Sequence, residues 1–318
     1  MRRKVILDLD PGIDDSLALI YTVLSQAFDI LGITTVAGNV DPSQGACNAS
    51  YLCDVLGLDQ VPIYEGAQQP LERPYRDARD THGEDGLGEA IWAREKHIQP
   101  ESARAFIQSM LQTYPNEVEI LALGPLTNLA QVIQAQPGLL SQAKALRIMG
   151  GAYQVTGNCS PYAEYNFWCD PEAARLVFQS DLPETYLYPL DVTYQILMTP
   201  NCRELIRQFD TELGQLIHAI TRFYVDFHWQ AERTLGCVIN DPLVPVDMVT
   251  GICQFIPADI QVLTSGERDA QSVIQPHPAG KVQVAQAVDA QAFFKNFLGQ
   301  IFPDQVHDIQ HAYDKGWL

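Results

Sequence analysis

Short apolar runs alternate with helical hydrophobic periodicity along this 318-residue chain, and nothing else in it constrains the fold as much. The runs at 5–7, 30–36, 61–64, 118–123, 145–149 and 185–189 are too short for buried helices and end in Gly, Pro, Asp or Asn. They read as strands buried on both faces. Helices are expected between them, at 16–25, 44–56, 100–113, from 127 and from 171, and then at 200–207 and 212–233. Such alternation predicts an α/β fold: a single domain spanning 1–318, with a central, mostly parallel sheet and helices on both faces. The tail departs from the pattern, with short strands at 260–263, 272–275 and 281–287 before a helix at 290–301.

At 47% hydrophobic residues the chain can fill such a core. Its formal net charge of −19 argues against a nucleic-acid partner or an anionic membrane surface. No apolar run approaches the roughly 18 residues of a membrane span. The basic start Met1-Arg2-Arg3-Lys4 meets Asp8 after only three apolar residues, so no secretory signal is expected. Seven scattered cysteines without a Cys-x-x-Cys pair indicate neither a zinc knuckle nor a disulfide framework. They are expected as buried thiols in a cytoplasmic protein.

The first strand carries the chemistry. Asp8, Asp10, Asp14 and Asp15 crowd around Pro11-Gly12, directly before the helical pattern Leu17, Ala18, Ile20, Tyr21. One such Asp would be an ordinary N-cap. Four repel one another unless a cation, hydrogen bonds or protonation offsets them, and a hard divalent cation with oxygen ligands is the simplest remedy. Other strand ends are polar as well: Asn39 after Val36-Ala37-Gly38, Thr127-Asn128 after Gly124-Pro125, Gly157-Asn158 before Ala163-Glu164-Tyr165-Asn166, and Asn240-Asp241-Pro242. Each alone suits a turn or a cap. If the strands are parallel these ends share one rim, forming an oxygen- and amide-rich pocket suited to a hydroxylated ligand such as a sugar.

These motifs resemble, in order, those of the inosine-uridine-preferring nucleoside hydrolase family. The resemblance rests on the run Asp8–Ala18, on Val36–Val40, Gly124–Ala130, Met149–Ala152, Gly157-Asn158, Ala163–Asn166, Asp170–Ala174 and Asn240–Leu243, which together span residues 5–243. It implies the nucleoside hydrolase fold and Ca²⁺-dependent cleavage of a ribonucleoside to a purine or pyrimidine base plus ribose. It further implies that Asp10, Asp15, Asp241 and the carbonyl of Leu123 hold Ca²⁺. Asp14, Asn39, Asn158, Glu164 and Asn166 would bind the ribose hydroxyls, with Asp8 in support. Asp10 would be the general base that activates a calcium-bound water. A homodimer or homotetramer would be the assembly.

The chain departs from the family pattern at the leaving group. Many members carry His before the last metal-binding Asp, and purine-specific relatives carry Trp, whereas this chain has Asn240. Asn can hydrogen-bond a base but cannot protonate it. His82, in the motif Thr81–Gly88 that matches the family's loop near the active site, is the first alternative for base contact and catalysis. His228 is the second, because Tyr224, His228 and Glu232 recur at helical spacing on one face. Trp92 and Trp168 are expected in the core rather than against a base. Two other functions fit parts of the sequence: a non-catalytic ribonucleoside- or ribose-binding protein that has lost its acid, and a phosphatase suggested by Asp8-x-Asp10. The phosphatase leaves the Glu-x-Asn and Asn-Asp-Pro motifs unexplained.

Overall fold

The six expected runs all enter one sheet. In a computed structural model describing residues 2–58, 60–90 and 97–318, the strands are β1 (Arg3–Leu9), β2 (Phe28–Thr35), β3 (Ile63–Glu65), β4 (Val118–Ala122), β5 (Ala145–Met149) and β6 (Glu184–Tyr188). They pair in parallel in the order β6-β5-β4-β1-β2-β3. Next come β7 (Leu197–Met198) and β8 (Cys237–Val238), which form a separate antiparallel ribbon. The tail adds β9 (Cys253–Val262), β10 (Ser272–Pro276) and β11 (Val282–Val288). β11 lies parallel to β6, and β9 runs antiparallel to both β10 and β11, which completes nine strands.

Burial on both faces explains why the strands read as unbroken apolar runs. Along β1, Val5, Leu7 and Leu9 enter one core and Ile6 the other. Helices Ile13–Leu24, Pro42–Val55, Leu243–Thr250 and Ala290–Ile301 cover the first face, and Ala103–Thr113, Thr127–Ala135 and Pro171–Gln179 the second. From β1 the chain winds outward through β2 and β3, then returns to β4 and winds the other way. The loops after β1 and β4 therefore diverge, opening a crevice at the carboxyl ends of these two strands.

Several boundaries differ from the sequence reading. The first helix begins at Ile13, so Asp14 and Asp15 fall in its first turn, where the helix dipole favours negative charge. The expected strand at 260–263 is the end of the ten-residue β9. Between β3 and the helix at Ala103 lies the helical turn Arg79–His82. Helices Leu190–Thr193, Leu243–Thr250 and Val306–Asp314 lie outside the expected elements; the second is largely buried and carries Pro245 in its first turn. Asp170 caps its helix as expected, accepting from the Ala173 N–H at 3.0 Å. Cys53, Cys169, Cys202 and Cys237 are buried, but Cys159 is exposed. Among the described residues no helix is long and apolar enough to cross a membrane.

Candidate active site

The β1 loop is folded around Asp15. Its Oδ1 accepts the Asp10 N–H and its Oδ2 the Gly12 N–H, each at 3.1 Å, so the carboxylate closes the turn and caps the helix behind it. Asn39, at the end of β2, donates its side-chain amide to Asp15 Oδ2 at 3.1 Å and its backbone N–H to Asp10 Oδ2 at 2.7 Å. Gly38 must be glycine, because a Cβ there would stand 2.0 Å from Asp10 Oδ2. Asp8 is fully buried and accepts from Thr34 Oγ1 at 2.5 Å and Asn128 Nδ2 at 2.7 Å, behind the loop as expected.

A cavity of about 290 Å³ opens above this loop. Asp14, Asp241, Leu123, Asn39, Asn158, Glu164, Asn166, His82, His228 and Asn240 all line it, so every expected contact residue except Asp10 and Asp15 reaches its wall. Those two are 1% and 0% exposed and lie beneath it. Oxygen atoms of Asp14, Asp15 and Asp241 fall within 4.8 Å of one another. The close carboxylate cluster thus includes Asp14, expected as a sugar contact, and omits Asp10, expected as a metal ligand. Asp10 Oδ1 is nevertheless buried without a hydrogen-bond partner among the described residues.

Most of the polar wall consists of acceptors. Asn166 donates its amide to the Leu123 and Met149 carbonyls at 2.6 and 3.2 Å, which leaves its Oδ1 as the group it can offer a ligand. Asn39, tied to Asp15 through one amide hydrogen, keeps its Oδ1 as an acceptor. Glu164 caps the turn Tyr165–Cys169 and accepts from Gly151, Asn166 and Phe167 N–H groups at 2.7–3.2 Å. No Lys or Arg is among the described lining residues. Burial, reinforced by neighbouring carboxylates, raises Asp10 and Asp241 well above the usual range and Asp15 to about 7. Burial likewise raises Glu164 to about 7, against its three backbone hydrogen bonds. Crowded carboxylates with only oxygen donors and no counter-charge fit a hard divalent cation.

The other end of the cavity comes from helix Glu212–Glu232, the turn Arg79–His82 and the segment after β8. Asn240 donates its amide to Asp14 Oδ2 at 3.1 Å, and Tyr224 donates its hydroxyl to the same oxygen at 3.2 Å. Asn240 therefore presents its NH₂ to Asp14, and its Oδ1 has no partner among the described residues. His82 Nδ1 accepts the Ile13 N–H at 3.0 Å, so the ring proton resides on Nε2. Burial lowers the His82 pKa, favouring the neutral ring. His228 has the opposite arrangement. Its Nδ1 donates to the Tyr224 carbonyl at 2.8 Å, while Nε2 lies 3.4 Å from the Val238 nitrogen and 4.0 Å from a Glu232 oxygen.

Tyr194 and Phe227 also line this end and had no distinguishing sequence signal. Trp168 does not; it is half-buried, with the Arg76 guanidinium 5.2 Å above its ring. Trp92 lies outside the described residues.

A family model described as inosine-uridine preferring nucleoside hydrolase matches residues 5–295. Uridine nucleosidase 1 of Arabidopsis thaliana is 37% identical over 248 residues, covering 77% of this chain and 74% of its own. The inosine-uridine preferring nucleoside hydrolase of Leishmania major is 33% identical, over 92% of this chain and 96% of its own. Among solved structures, a purine-preferring ribonucleoside hydrolase from Gardnerella vaginalis superposes with a TM-score of 0.88 at 30% identity, over 94% of this chain and 98% of that one. The plant nucleoside hydrolase PpNRh1 does so with a TM-score of 0.90 at 28% identity, covering 95% and 99%.

Proposed function

Because the chain belongs to the inosine-uridine preferring nucleoside hydrolase family, we propose that this cavity cleaves the N-glycosidic bond of ribonucleosides, holding the ribose over a calcium ion. The observation that carries this reading is the acceptor-rich wall above buried carboxylates. A sugar diol has hydroxyl protons to donate, and a cation has charge to share, so the two together satisfy groups that neither would satisfy alone. Asp10, Asp15, Asp241 and the Leu123 carbonyl would hold the cation, the unpartnered Asp10 Oδ1 supporting this assignment. Asp14, which belongs to the close carboxylate cluster and also lines the cavity, could serve either the cation or the sugar. When bound, such a cation acidifies water and orients the diol.

The chain's own groups supply the rest. Asp10 takes the proton from the attacking water as general base. Asn39, Asn158, Glu164 and Asn166 bind the sugar, and an enzyme built around ribose hydroxyls rejects deoxyribose. Tyr224 and Asn240 hold Asp14 through its Oδ2. At the base end, neutral His82 offers an Nε2–H hydrogen bond to the departing base, and His228 lies in the adjoining wall. The protein would act as a dimer or tetramer, as the family resemblance implies.

The test is base release from uridine, cytidine, inosine and adenosine, with and without a chelator. Turnover of at least one ribonucleoside, lost with chelator and regained with Ca²⁺, supports the reading. Tight ribose binding without turnover would make the chain a sugar-binding protein instead.

A further inference from the structure

Two loops meet in this cavity, and a single side chain outside it joins them. Asn48 lies in the middle of helix Pro42–Val55 and is 4% exposed. Its Nδ2 donates one hydrogen to the Pro11 carbonyl at 2.9 Å and the other to the Asp85 carbonyl at 2.8 Å. Its Oδ1 accepts from Gln44 Nε2 at 2.9 Å. Pro11 belongs to the aspartate loop, and Asp85 to the segment that carries His82.

The packing around this amide is close. Gly86 has a φ of +76°, and a Cβ there would lie 2.9 Å from Asn48 Nδ2 and 3.2 Å from the Pro11 carbonyl oxygen. One turn away, the Gly88 N–H returns to the His82 carbonyl at 2.8 Å, so residues 82–88 form a closed unit. Among the described residues, the Ile13 N–H on His82 and the NH₂ of Asn48 are polar links between that unit and the aspartate loop. An amide offers two hydrogens from one uncharged atom on a short side chain; Asp offers none and Ser offers one.

We infer that Asn48 is a positioning residue for the base end of the site: it fixes the spacing between the aspartate loop and residues 82–88, and thereby where His82 stands relative to the bound sugar. This rests on the reading of the cavity as a ribonucleoside site. The effect is expected chiefly at the leaving group, because the Asp10–Gly12 stretch that Asn48 touches is also tied by Asp15 through the Asp10 and Gly12 N–H groups. It also explains a polar, helix-disfavouring Asn in a helix interior.

The test compares wild type with Asn48→Ala, Asn48→Ser and Gly86→Ala on two substrates. One is the best natural ribonucleoside; the other is 4-nitrophenyl β-D-ribofuranoside, whose nitrophenolate departs without a proton. Misplacement of a catalytic contact by about 1 Å can cost up to about 100-fold. For Asn48→Ala, kcat on the ribonucleoside is expected to fall at least about tenfold, with less than about threefold change on the nitrophenyl riboside. Asn48→Ser should fall between, and Gly86→Ala, which presses on the same contact from the other side, should show the same selectivity. Equal losses on both substrates, or no loss, would overturn the inference. Amide hydrogen exchange of residues 79–89 supplies a readout independent of activity. It should quicken in Asn48→Ala, and unchanged exchange would refute the link itself. A wild type inactive on both substrates would instead strike the functional reading, leaving the exchange result to decide on Asn48.

Discussion

Asp10 and Asp14 differ by four positions and by what surrounds them. Asp10 is pressed between Gly38 and Gly124 and has one oxygen on the Asn39 N–H and one without a partner. Asp14 faces the cavity, and its Oδ2 is surrounded by donors from Tyr224 and Asn240. If Asp10 is the base, Asp10→Asn should lower kcat by about 10²- to 10⁴-fold, as general-base loss does, with KM changed little; steady-state base release measures it. Asn240→Ala removes a donor from Asp14, and a charge-assisted hydrogen bond of this kind contributes about 1.5–3 kcal/mol. KM for the ribonucleoside should therefore rise about tenfold or more, since 1.4 kcal/mol is tenfold in binding. An unchanged KM, with kcat alone reduced, would return Asn240 to the leaving group. The carboxylates were legible in the sequence because four acids after an apolar run have few explanations. The orientation of Asn240 was not, because it depends on Tyr224, sixteen residues earlier on another element.

At the scale of elements, the strands buried on both faces were easiest to read, since an apolar run bounded by polar turns has one ready interpretation. The short turns that place chemistry were harder. Tyr165–Cys169 exists because Glu164 caps it, and Arg79–His82 is a single turn with no side-chain cap. Neither is long enough to show a period. The amino ends of the strands hold a different device. Glu119 on β4 is 1% exposed and meets Arg3, Lys144 and Arg147 at 2.7, 3.2 and 3.2 Å. Burial raises its pKa, but the hydrogen bond and charge of Arg3, together with Arg147, outweigh this and hold it below 4.5. A carboxylate depressed in the folded state stabilises the fold above its unfolded pKa and ceases to do so as pH falls through the folded value. Acid titration followed by circular dichroism should show stability declining below pH 4.5, less steeply in Glu119→Gln. At pH 7, Glu119→Ala should cost about 3 kcal/mol in urea unfolding, since it leaves the buried Arg147 and the half-buried Arg3 without their counter-charge.

For the whole molecule, the order of strands matters more than their number. The reversal between β1 and β4 brings Asp10 and Leu123 to the same crevice from stretches more than a hundred residues apart, and Asp241 arrives from farther still. Alternation of strands and helices implied a parallel sheet, but not the place of β9, β10 and β11, whose antiparallel edge depends on pairing the sequence does not encode locally. A cation that binds only the folded crevice must stabilise the whole chain. At one hundred times its dissociation constant the gain is about 2.7 kcal/mol. Chelated protein should accordingly melt several degrees lower than protein with excess Ca²⁺, by calorimetry, and equal melting temperatures would place no cation there.

The crevice also separates two kinds of inheritance. On the proposed reading, the sugar end is fastened to the segments that follow β1, β2, β4 and β5, strands that cannot shift without disturbing both cores. The base end is furnished by one face of helix Glu212–Glu232 and a short turn at its side. If that division holds, a lineage carrying this architecture can exchange one nucleobase for another by substitution along that helix while leaving the ribose half untouched, provided Tyr224, which reaches Asp14, is kept.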